Sequence, residues 1–285
     1  MKQELKEIVD PIVRWYQKQE KILPWKQDKE PYHVWVSEIM LQQTRIEAVK
    51  KYYTRFMKAL PTIQDLANVS EEKLLKLWEG LGYYSRARNL KKAAIQIEEN
   101  YKGKMPTSYA ELLKLSGIGE YTAGAIASIS YQEKVPAVDG NVLRVISRVL
   151  ASKEDVLLPE TKKEITKKLS EIMPEEAGDF NEGLMELGEK ICIPNTIPLC
   201  EKCPIQPFCI ANKESLTNEI PVRIKKQKRR IEEKTVFIVK NKDEIAIRKR
   251  EKTGILANLY EFPNVIRRSS RGEDSRNFKK LEYTI

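Results

Sequence analysis

The chain has 285 residues and a net charge of +10 at pH 7, with 41% hydrophobic and 32% charged residues. This composition is typical of a globular protein of one large or two modest domains, and the excess of positive charge favours a polyanionic partner. No apolar run reaches membrane-spanning length, and the N-terminal residues MKQELKEIV mix acids with bases, where a signal peptide would be basic and then apolar. We therefore expect a cytoplasmic monomer without a membrane partner. Because the chain has one histidine, carboxylates are the catalysts to look for.

A long helix is predicted from Tyr32 to Leu60, after a first helix over residues 4–18, because apolar residues recur there at helical spacing. On the long helix Glu38 shares a face with Trp35 and, further along, Arg45. A carboxyl among such groups is partly desolvated, so its pKa should rise and make it a usable general acid near neutral pH. The alternative is a glutamate at the margin of the apolar stripe, with its carboxyl in water.

A helical hairpin is predicted within residues 115–139. An apolar turn stops at Ser116-Gly117-Ile118-Gly119, and a helix rich in small residues starts at Glu120. If both glycines adopt positive φ, backbone N–H groups are left open at the helix start, which suits a phosphate, although an ordinary turn between helices explains the same pair. Asp139 precedes a third helix, where it can be an N-cap, and a carboxylate held by backbone amides stays ionised.

All four cysteines lie in one short segment, which favours a metal centre over disulfides in an intracellular chain. They are Cys192, Cys200, Cys203 and Cys209, with the spacing C-x7-C-x2-C-x5-C. A structural zinc site usually pairs two C-x-x-C knuckles, and this segment has one. Four thiolates on closely spaced loops suit a 4Fe-4S cluster, so the spacing favours the cluster and leaves zinc open.

The character of the sequence changes after residue 212. Residues 213–234 form a basic linker, either a solvated hinge or a strap against a nucleic-acid backbone. TVFIVK and EIAIRKR then alternate as strands do on either side of residues 241–243, which predicts a β-hairpin. The polar residues 267–285 indicate disorder or a truncated helix.

Several of these motifs together resemble the helix-hairpin-helix, Gly/Pro, Asp superfamily of DNA glycosylases, and in particular its adenine DNA glycosylase branch. The likeness rests on WVSEIMLQQT around Glu38, on GLGYYSRARN at residues 80–89, and on the hairpin followed by Pro136 and Asp139. The resemblance implies a mainly α-helical, two-lobed catalytic region. One lobe is continuous and contains the hairpin, and the other joins the N-terminal helix to the cysteine segment.

The domain boundaries that follow from this resemblance divide the chain into three parts. The catalytic domain covers residues 1–212, with the helix-hairpin-helix at 109–130 and an iron-sulfur cluster loop at 192–209. The basic linker covers residues 213–234. Residues 235–285 would be the start of an incomplete, Nudix-like C-terminal domain, which in the family recognises 8-oxoguanine opposite the adenine.

The resemblance also implies roles for individual residues. Glu38 would protonate the adenine, and Asp139 would offset the positive charge that develops on the sugar. Gln42 and Gln43 would reach into the duplex, and Tyr83 would act as a wedge between base pairs. Further contacts with DNA or the base are expected from Arg86, Gly117, Gly119, Tyr121 and Asn141, with Glu186 as an additional candidate for contact with adenine.

Tyr121 stands where the related endonuclease III branch has a lysine that attacks the sugar. A tyrosine cannot form a Schiff base, so a monofunctional glycosylase is expected. The cofactor would be one 4Fe-4S cluster, although the first cysteine interval has seven residues where the family usually has six, so that loop must bulge. Glu182, Gly183 and Glu189 are further departures from the usual family motif, and we expect them to be tolerated.

The reaction expected from the resemblance is hydrolysis of the N-glycosidic bond of adenine paired with 8-oxoguanine or guanine in double-stranded DNA, as a step of base excision repair on nucleoid DNA. Two rival interpretations stay open at this point. One is a strand-cleaving lyase of the endonuclease III kind. The other is a non-catalytic DNA-binding module with a structural zinc ion.

Overall fold

The computed structural model of the chain describes residues 5–224, 231–251, 254 and 256–266. The chain divides into two compact units, residues 1–224 and 225–285. The division falls inside the range predicted as the basic linker. The end of the chain, residues 267–285, lies outside the described residues, and so does the predicted disorder or helix there.

The first unit consists of α-helices joined by short connections. Side chains that accept a hydrogen bond from the first helical turn mark several helix starts, among them Thr62, Ser70 and Ser108. The helices are α1 (Val9–Gln17), α2 (Pro31–Leu41), α3 (Ile46–Ala59), α4 (Ile63–Asn68), α5 (Glu71–Trp78), α6 (Ser85–Tyr101), α7 (Tyr109–Leu112), α8 (Glu120–Tyr131), α9 (Gly140–Val149), α10 (Pro159–Ser170), α11 (Ala177–Lys190) and α12 (Ile210–Lys213), with 3-10 turns at Pro24–Lys26, Cys200–Lys202 and Gln206–Phe208.

The prediction of one long helix from Tyr32 to Leu60 is wrong, because α2 ends at Leu41 and α3 begins at Ile46. Gln43 adopts a left-handed backbone with φ of +58°, which breaks the helix. The guanidinium of Arg86 donates hydrogen bonds to carbonyl groups at the end of α2. Arg45 therefore does not continue the face that carries Glu38. Periodicity could not reveal this break, since the arginine that stabilises it lies on a distant helix.

Two separate hydrophobic cores divide the first unit into lobes. One core is formed by residues between Trp25 and Ala137, without interruption by another segment. The other combines residues 5–13 with residues between Val138 and Ile205. This division agrees with the predicted pair of lobes. The chain passes from the first core to the second between Ala137 and Val138, so Asp139 lies at the junction of the lobes.

The described residues of the second unit form three antiparallel pairs of short strands. The hairpin predicted at residues 241–243 is confirmed, because Lys240 pairs with Ile245 and Asn241 with Glu244. The strands are β1 (Lys234–Val236), β2 (Lys240–Asn241), β3 (Glu244–Ile245), β4 (Arg248–Lys249), β5 (Tyr260–Glu261) and β6 (Asn264–Ile266), paired as β1–β6, β2–β3 and β4–β5. Ala246 is buried in this unit, whereas larger apolar side chains such as Ile238 are exposed. The Nudix-like assignment stays a prediction. Across the described part of the chain, no helix has the length and apolar character needed to cross a membrane.

Candidate active site

Glu38 lies on α2 with its side chain directed into the protein, and 9% of the residue is exposed. The hydroxyl of Tyr121, in the first turn of α8, donates a hydrogen bond to Oε2 of Glu38. Burial raises the pKa of Glu38 to about 7, the hydrogen bond from Tyr121 opposes this rise, and the charges of Glu182 and Asp139 add to it. The burial and the raised pKa agree with the expectation from the sequence. The alternative of a carboxyl in water does not hold.

Tyr121 connects Glu38 to the second lobe. Its hydroxyl lies 3.1 Å from Sδ of Met185 on α11, in addition to its contact with Glu38. Burial and then the charges of Glu38 and Asp139 raise the pKa of Tyr121 well above its usual value, so the phenol keeps its proton. Tyr121 is therefore a hydrogen-bond donor fixed on Glu38.

Asp139 is the N-cap of α9. Its Oδ1 accepts a hydrogen bond from the backbone N–H of Val142 at 2.7 Å, and its Oδ2 accepts one from Nδ2 of Asn141 at 2.8 Å. The sequence led us to expect that such bonds keep the carboxylate charged. They are present and lower the pKa of Asp139, but burial outweighs them and the pKa is raised overall. The N-cap prediction is confirmed. The hydrogen bonds favour the charged form, as expected, but they do not bring the pKa of Asp139 below its ordinary value.

Side chains that the sequence did not single out hold Asp139 and Asn141 in place. Nη2 of Arg144 donates to Oδ1 of Asn141 and to the carbonyl of Gly188, each at 2.8 Å. Its Nε donates to the carbonyl of Cys192 at 2.7 Å. Arg144 is buried, so it connects the support of Asp139 directly to α11 and to the cysteine segment. Helical spacing in the sequence places Arg144 near Asn141, but its partners at Gly188 and Cys192 come from the fold.

A polar pocket next to Glu38 was also missed. Besides Glu38 its lining includes Tyr16, Trp25, Lys26, Ser37 and Glu182. Nζ of Lys26 lies 3.8 Å from Oε1 of Glu182 and 5.0 Å from the centre of the Tyr16 ring. The only hint in the sequence was Glu182, as a departure from the family motif. The pocket places both a cation and a second carboxyl beside the buried acid.

Glu186 is a poorer candidate for a contact with adenine than the sequence suggested. Its two carboxylate oxygens lie 2.6 Å from Nζ of Lys26 and 2.5 Å from Nζ of Lys190. Burial opposes ionisation, but hydrogen bonds from Lys190 and Lys26 keep the pKa of Glu186 below its ordinary value. Each oxygen therefore already binds a lysine, and a contact with adenine would have to share the carboxylate with these two cations.

The hairpin between α7 and α8 has the predicted place, but its two glycines differ. Gly117 has φ of +75°, and a Cβ there would lie 2.6 Å from Cβ of Asn89, so both backbone conformation and space require glycine. Gly119 has φ of −96° and ψ of −179° as the N-cap of α8. The expectation of positive φ at both glycines is thus wrong for Gly119. Its extended backbone leads into the open N-terminus of α8, and phosphate binding there stays a prediction.

Gln42, Gln43 and Tyr83 lie on two turns that Arg86 holds together. Gln42 caps the end of α2, and its Nε2 donates to Oγ1 of Thr122 at 3.4 Å. Gln43 is exposed. Tyr83 is 59% exposed and adopts φ of +47°. The exposed side chains of Gln43 and Tyr83 agree with their expected roles, whereas the Nη donors of Arg86 are directed to protein oxygens.

The four cysteines, which span 18 residues of the chain, all line one pocket. The hydrogen bond from the N–H of Leu199 to the carbonyl of Ile191 closes the seven-residue interval, and Asn195 within it has φ of +60°. This is the bulge that the spacing required. Nη1 of Arg148 lies 3.2 Å from Sγ of Cys192. Over the described residues, no group of three or more His, Cys, Asp or Glu side chains is placed to hold a metal ion.

The comparisons with known proteins agree with this arrangement. Residues 36–175 match the model of the HhH-GPD superfamily base excision DNA repair proteins. The chain is 40% identical over 260 residues to the adenine DNA glycosylase of Buchnera aphidicola subsp. Schizaphis graminum, covering 89% of this chain and 73% of that one. It is 36% identical to the adenine DNA glycosylase of Arabidopsis thaliana and 42% identical to that of Homo sapiens, and it spans 47% and 39% of their lengths.

Solved structures share the fold. A thermostable thymine-DNA glycosylase matches with a TM-score of 0.66 and 27% identity, covering 74% of this chain and 98% of that one. An endonuclease III in a non-covalent complex with DNA matches with a TM-score of 0.63 and 25% identity, covering 76% and 98%. These matches confirm the mainly helical glycosylase fold. The chain belongs to the adenine DNA glycosylases of the HhH-GPD superfamily of base excision DNA repair proteins.

Proposed function

We propose that this protein hydrolyses the N-glycosidic bond of adenine paired with 8-oxoguanine or guanine in double-stranded DNA. The observation that carries the proposal is the pair of carboxyl groups at the junction of the two lobes, one of them buried with a pKa of about 7. The charge of Asp139 contributes to the environment of Glu38, because it raises the pKa of Glu38. A base inside a duplex cannot reach buried groups, so the adenine must be extruded from the stack.

The chemistry divides between the two carboxyl groups. Glu38 donates its proton to a ring nitrogen of the extruded adenine, so the base leaves neutral when the bond to the sugar breaks. The charge of Asp139 stabilises the positive charge that develops on the sugar carbon. Water then attacks this carbon, and Glu38 accepts a proton from the water and returns to its starting state. Lys26 and Glu182 line the pocket into which the adenine would enter.

The absence of a lysine at position 121 supports a monofunctional enzyme. The hydroxyl of Tyr121 is bound to Glu38, and a phenol offers no amine for a Schiff base with the sugar. Endonuclease III has been captured in a covalent intermediate with DNA. We expect borohydride to trap no comparable adduct of this protein. Efficient trapping would favour the lyase interpretation.

We propose that the four cysteines bind a 4Fe-4S cluster, which requires their thiols to move closer together than the arrangement described above. The cysteines offer four thiols, none of them in a disulfide, around one pocket with otherwise largely apolar neighbours, and in such a cluster each iron takes one thiolate. Cys192, Cys200, Cys203 and Cys209 would hold the cluster, which would supply structural stability to this part of the second lobe. Metal analysis that finds iron and sulfide would support this assignment, and zinc without iron would contradict it.

The test of the reaction is base release by Glu38→Gln compared with the unchanged protein. Duplexes with adenine opposite each of the four bases and opposite 8-oxoguanine are incubated with excess enzyme. We expect the variant to lose adenine release while it still binds the duplex, because glutamine keeps the shape of the side chain and cannot donate the proton. If Glu38→Gln still releases adenine, the acid is another group.

A further inference from the structure

Arg86 is placed differently from the DNA contact that its motif suggested. Its Nη1 donates to the carbonyl oxygens of Ile39, Met40 and Gln42 at 2.7, 3.2 and 2.6 Å. All three carbonyls belong to the end of α2, the helix that carries Glu38. The last carbonyls of a helix have no partner within the helix, and a cation there also interacts favourably with the helix dipole. Nη1 therefore caps the catalytic helix.

The other terminal nitrogen of Arg86 faces the second turn. Its Nη2 donates to the carbonyls of Leu81 and Gly82 at 3.1 and 3.3 Å, and it lies 3.4 Å from Oγ1 of Thr44. One guanidinium thus joins two turns that are distant in sequence. A planar guanidinium can do this because its donors point in fixed directions, and a lysine ammonium cannot.

Each of the two turns presents one exposed side chain in an unfavourable backbone conformation. Gln43 has φ of +58° and Tyr83 has φ of +47°, and neither residue is glycine. Such conformations cost about 1–3 kcal/mol and persist where the surrounding structure holds them. The guanidinium of Arg86 also lies 5.6 Å from the centre of the Tyr83 ring and 5.4 Å from that of Trp78. Arg86 contacts the Tyr83 ring and, on the other turn, Gln42 and Thr44 on either side of Gln43.

We infer that Arg86 is a positioning residue that fixes Gln43 and Tyr83 to one another, so that the two side chains enter the duplex at the mispair as a single rigid unit. This inference rests on the function proposed above. Contact with a phosphate or a base would require the guanidinium to leave its protein partners. The selectivity for the base opposite adenine therefore depends on Arg86 without any contact between this residue and DNA.

The test is a set of double-mutant cycles with Arg86→Lys, which keeps the charge and loses the planar fork. Single-turnover excision rates are measured for Tyr83→Ala, Gln43→Ala and both together, in the parent and in the Arg86→Lys background. We expect Arg86→Lys to slow excision about tenfold or more, the effect of one lost hydrogen bond to a charged group. We also expect the effects of Tyr83→Ala and Gln43→Ala to be coupled in the parent and to become independent in the Arg86→Lys background.

The matched control is Arg88→Lys, because Arg88 lies on α6 within one helical turn of Arg86. The Nε of Arg88 donates to Oε1 of Glu71 at 2.8 Å, and Glu71 belongs to neither turn, so we expect this variant to leave the coupling unchanged. Coupling that persists in Arg86→Lys, or that is absent from the parent, would overturn the inference. If the parent protein releases no adenine, the proposed function fails. If the parent protein releases adenine but Tyr83→Ala and Gln43→Ala act independently in it, only the inference about Arg86 fails.

A second measurement separates positioning from contact with DNA. The affinity for duplex DNA is measured against salt concentration for Arg86→Gln and for the parent. Loss of a phosphate contact reduces the salt slope by about one, whereas a positioning residue leaves the slope unchanged. If neither variant folds, the inference is tested by amide hydrogen exchange of the parent protein. Both turns should gain protection together when a duplex binds, and protection of one turn alone would contradict the inference.

Discussion

At the scale of single residues, the site contains two carboxyl groups whose pKa values shift in the same direction. Burial is the main cause for both Glu38 and Asp139. The difference between them lies in the opposing hydrogen bonds. Glu38 receives one, from Tyr121, whereas Asp139 receives several, from its own helix start and from Asn141. The proposed division into an acid and a charged stabiliser therefore depends on how many hydrogen-bond donors each carboxyl has.

The pH dependence of excision follows from this arrangement. Because the pKa of Glu38 is about 7, the fraction of enzyme with a protonated acid falls as the pH rises through this value. Replacing Tyr121 by phenylalanine removes a hydrogen bond that lowers the pKa of Glu38. We therefore expect Tyr121→Phe to move the decline of the single-turnover rate to higher pH.

The control for this prediction is Tyr131→Phe. Tyr131 is at the other end of α8, and its hydroxyl donates to the carbonyl of Met105 at 3.4 Å, away from the two carboxyl groups. Its pH profile should match that of the parent. A decline for Tyr121→Phe that stays in place or moves to lower pH would show that the phenol does not set the pKa of the acid.

At the scale of elements, the sequence predicts what depends on local spacing and misses what depends on distant partners. The helices from Ile63 onward and the hairpin start at Glu120 follow from caps, apolar spacing and glycines, all of which are local signals. The break between α2 and α3 depends on Arg86, which no window around Gln43 contains. The same holds for the site. The helix face of Glu38 left both a buried and a solvated carboxyl open, and the family resemblance favoured burial. Lys26, which lines the pocket beside Glu38, and Arg144, which binds Asn141 next to Asp139, are brought there only by the fold.

Gly183 on α11 illustrates a local expectation that tertiary packing reverses. Within an isolated helix, glycine costs about 1 kcal/mol relative to alanine. In the fold, a Cβ at this position would lie 2.7 Å from Cγ2 of Ile12 and 3.2 Å from Cβ of Tyr16. The glycine lets α1 approach α11 closely. We expect Gly183→Ala to lower the free energy of unfolding by about 1–3 kcal/mol, as overpacked cores do.

Thermal or denaturant unfolding measures this change. Gly140→Ala is the matched control, since a Cβ there meets no atom within 4 Å, and its stability should change little. A gain in stability for Gly183→Ala would mean that helix propensity outweighs the contact with α1.

At the scale of the whole molecule, the position of the site follows from how the chain forms its two cores. Glu38 lies on α2, whose apolar residues belong to the continuous core, and Asp139 directly follows Val138, where the chain enters the other core. Asn181 on α11 stabilises this crossing, because its Oδ1 accepts a hydrogen bond from the N–H of Ala137 at 3.0 Å and its Nδ2 donates to the carbonyl of Val135 at 2.9 Å. Neither lobe alone contains both carboxyl groups.

Both cores lie within the first unit, and this leads to a prediction for a shortened chain. The buried residues of the two cores lie between Leu5 and Ile205, so residues 225–285 contribute none of them. We expect a chain of residues 1–224 to unfold at nearly the same temperature as the parent and to release adenine opposite guanine at a similar rate. If residues 235–285 take part in recognising 8-oxoguanine, as the family resemblance implies, the preference for 8-oxoguanine over guanine should decrease in the shortened chain. A large fall in unfolding temperature, or loss of release opposite guanine, would mean that the second unit supports the catalytic lobes directly.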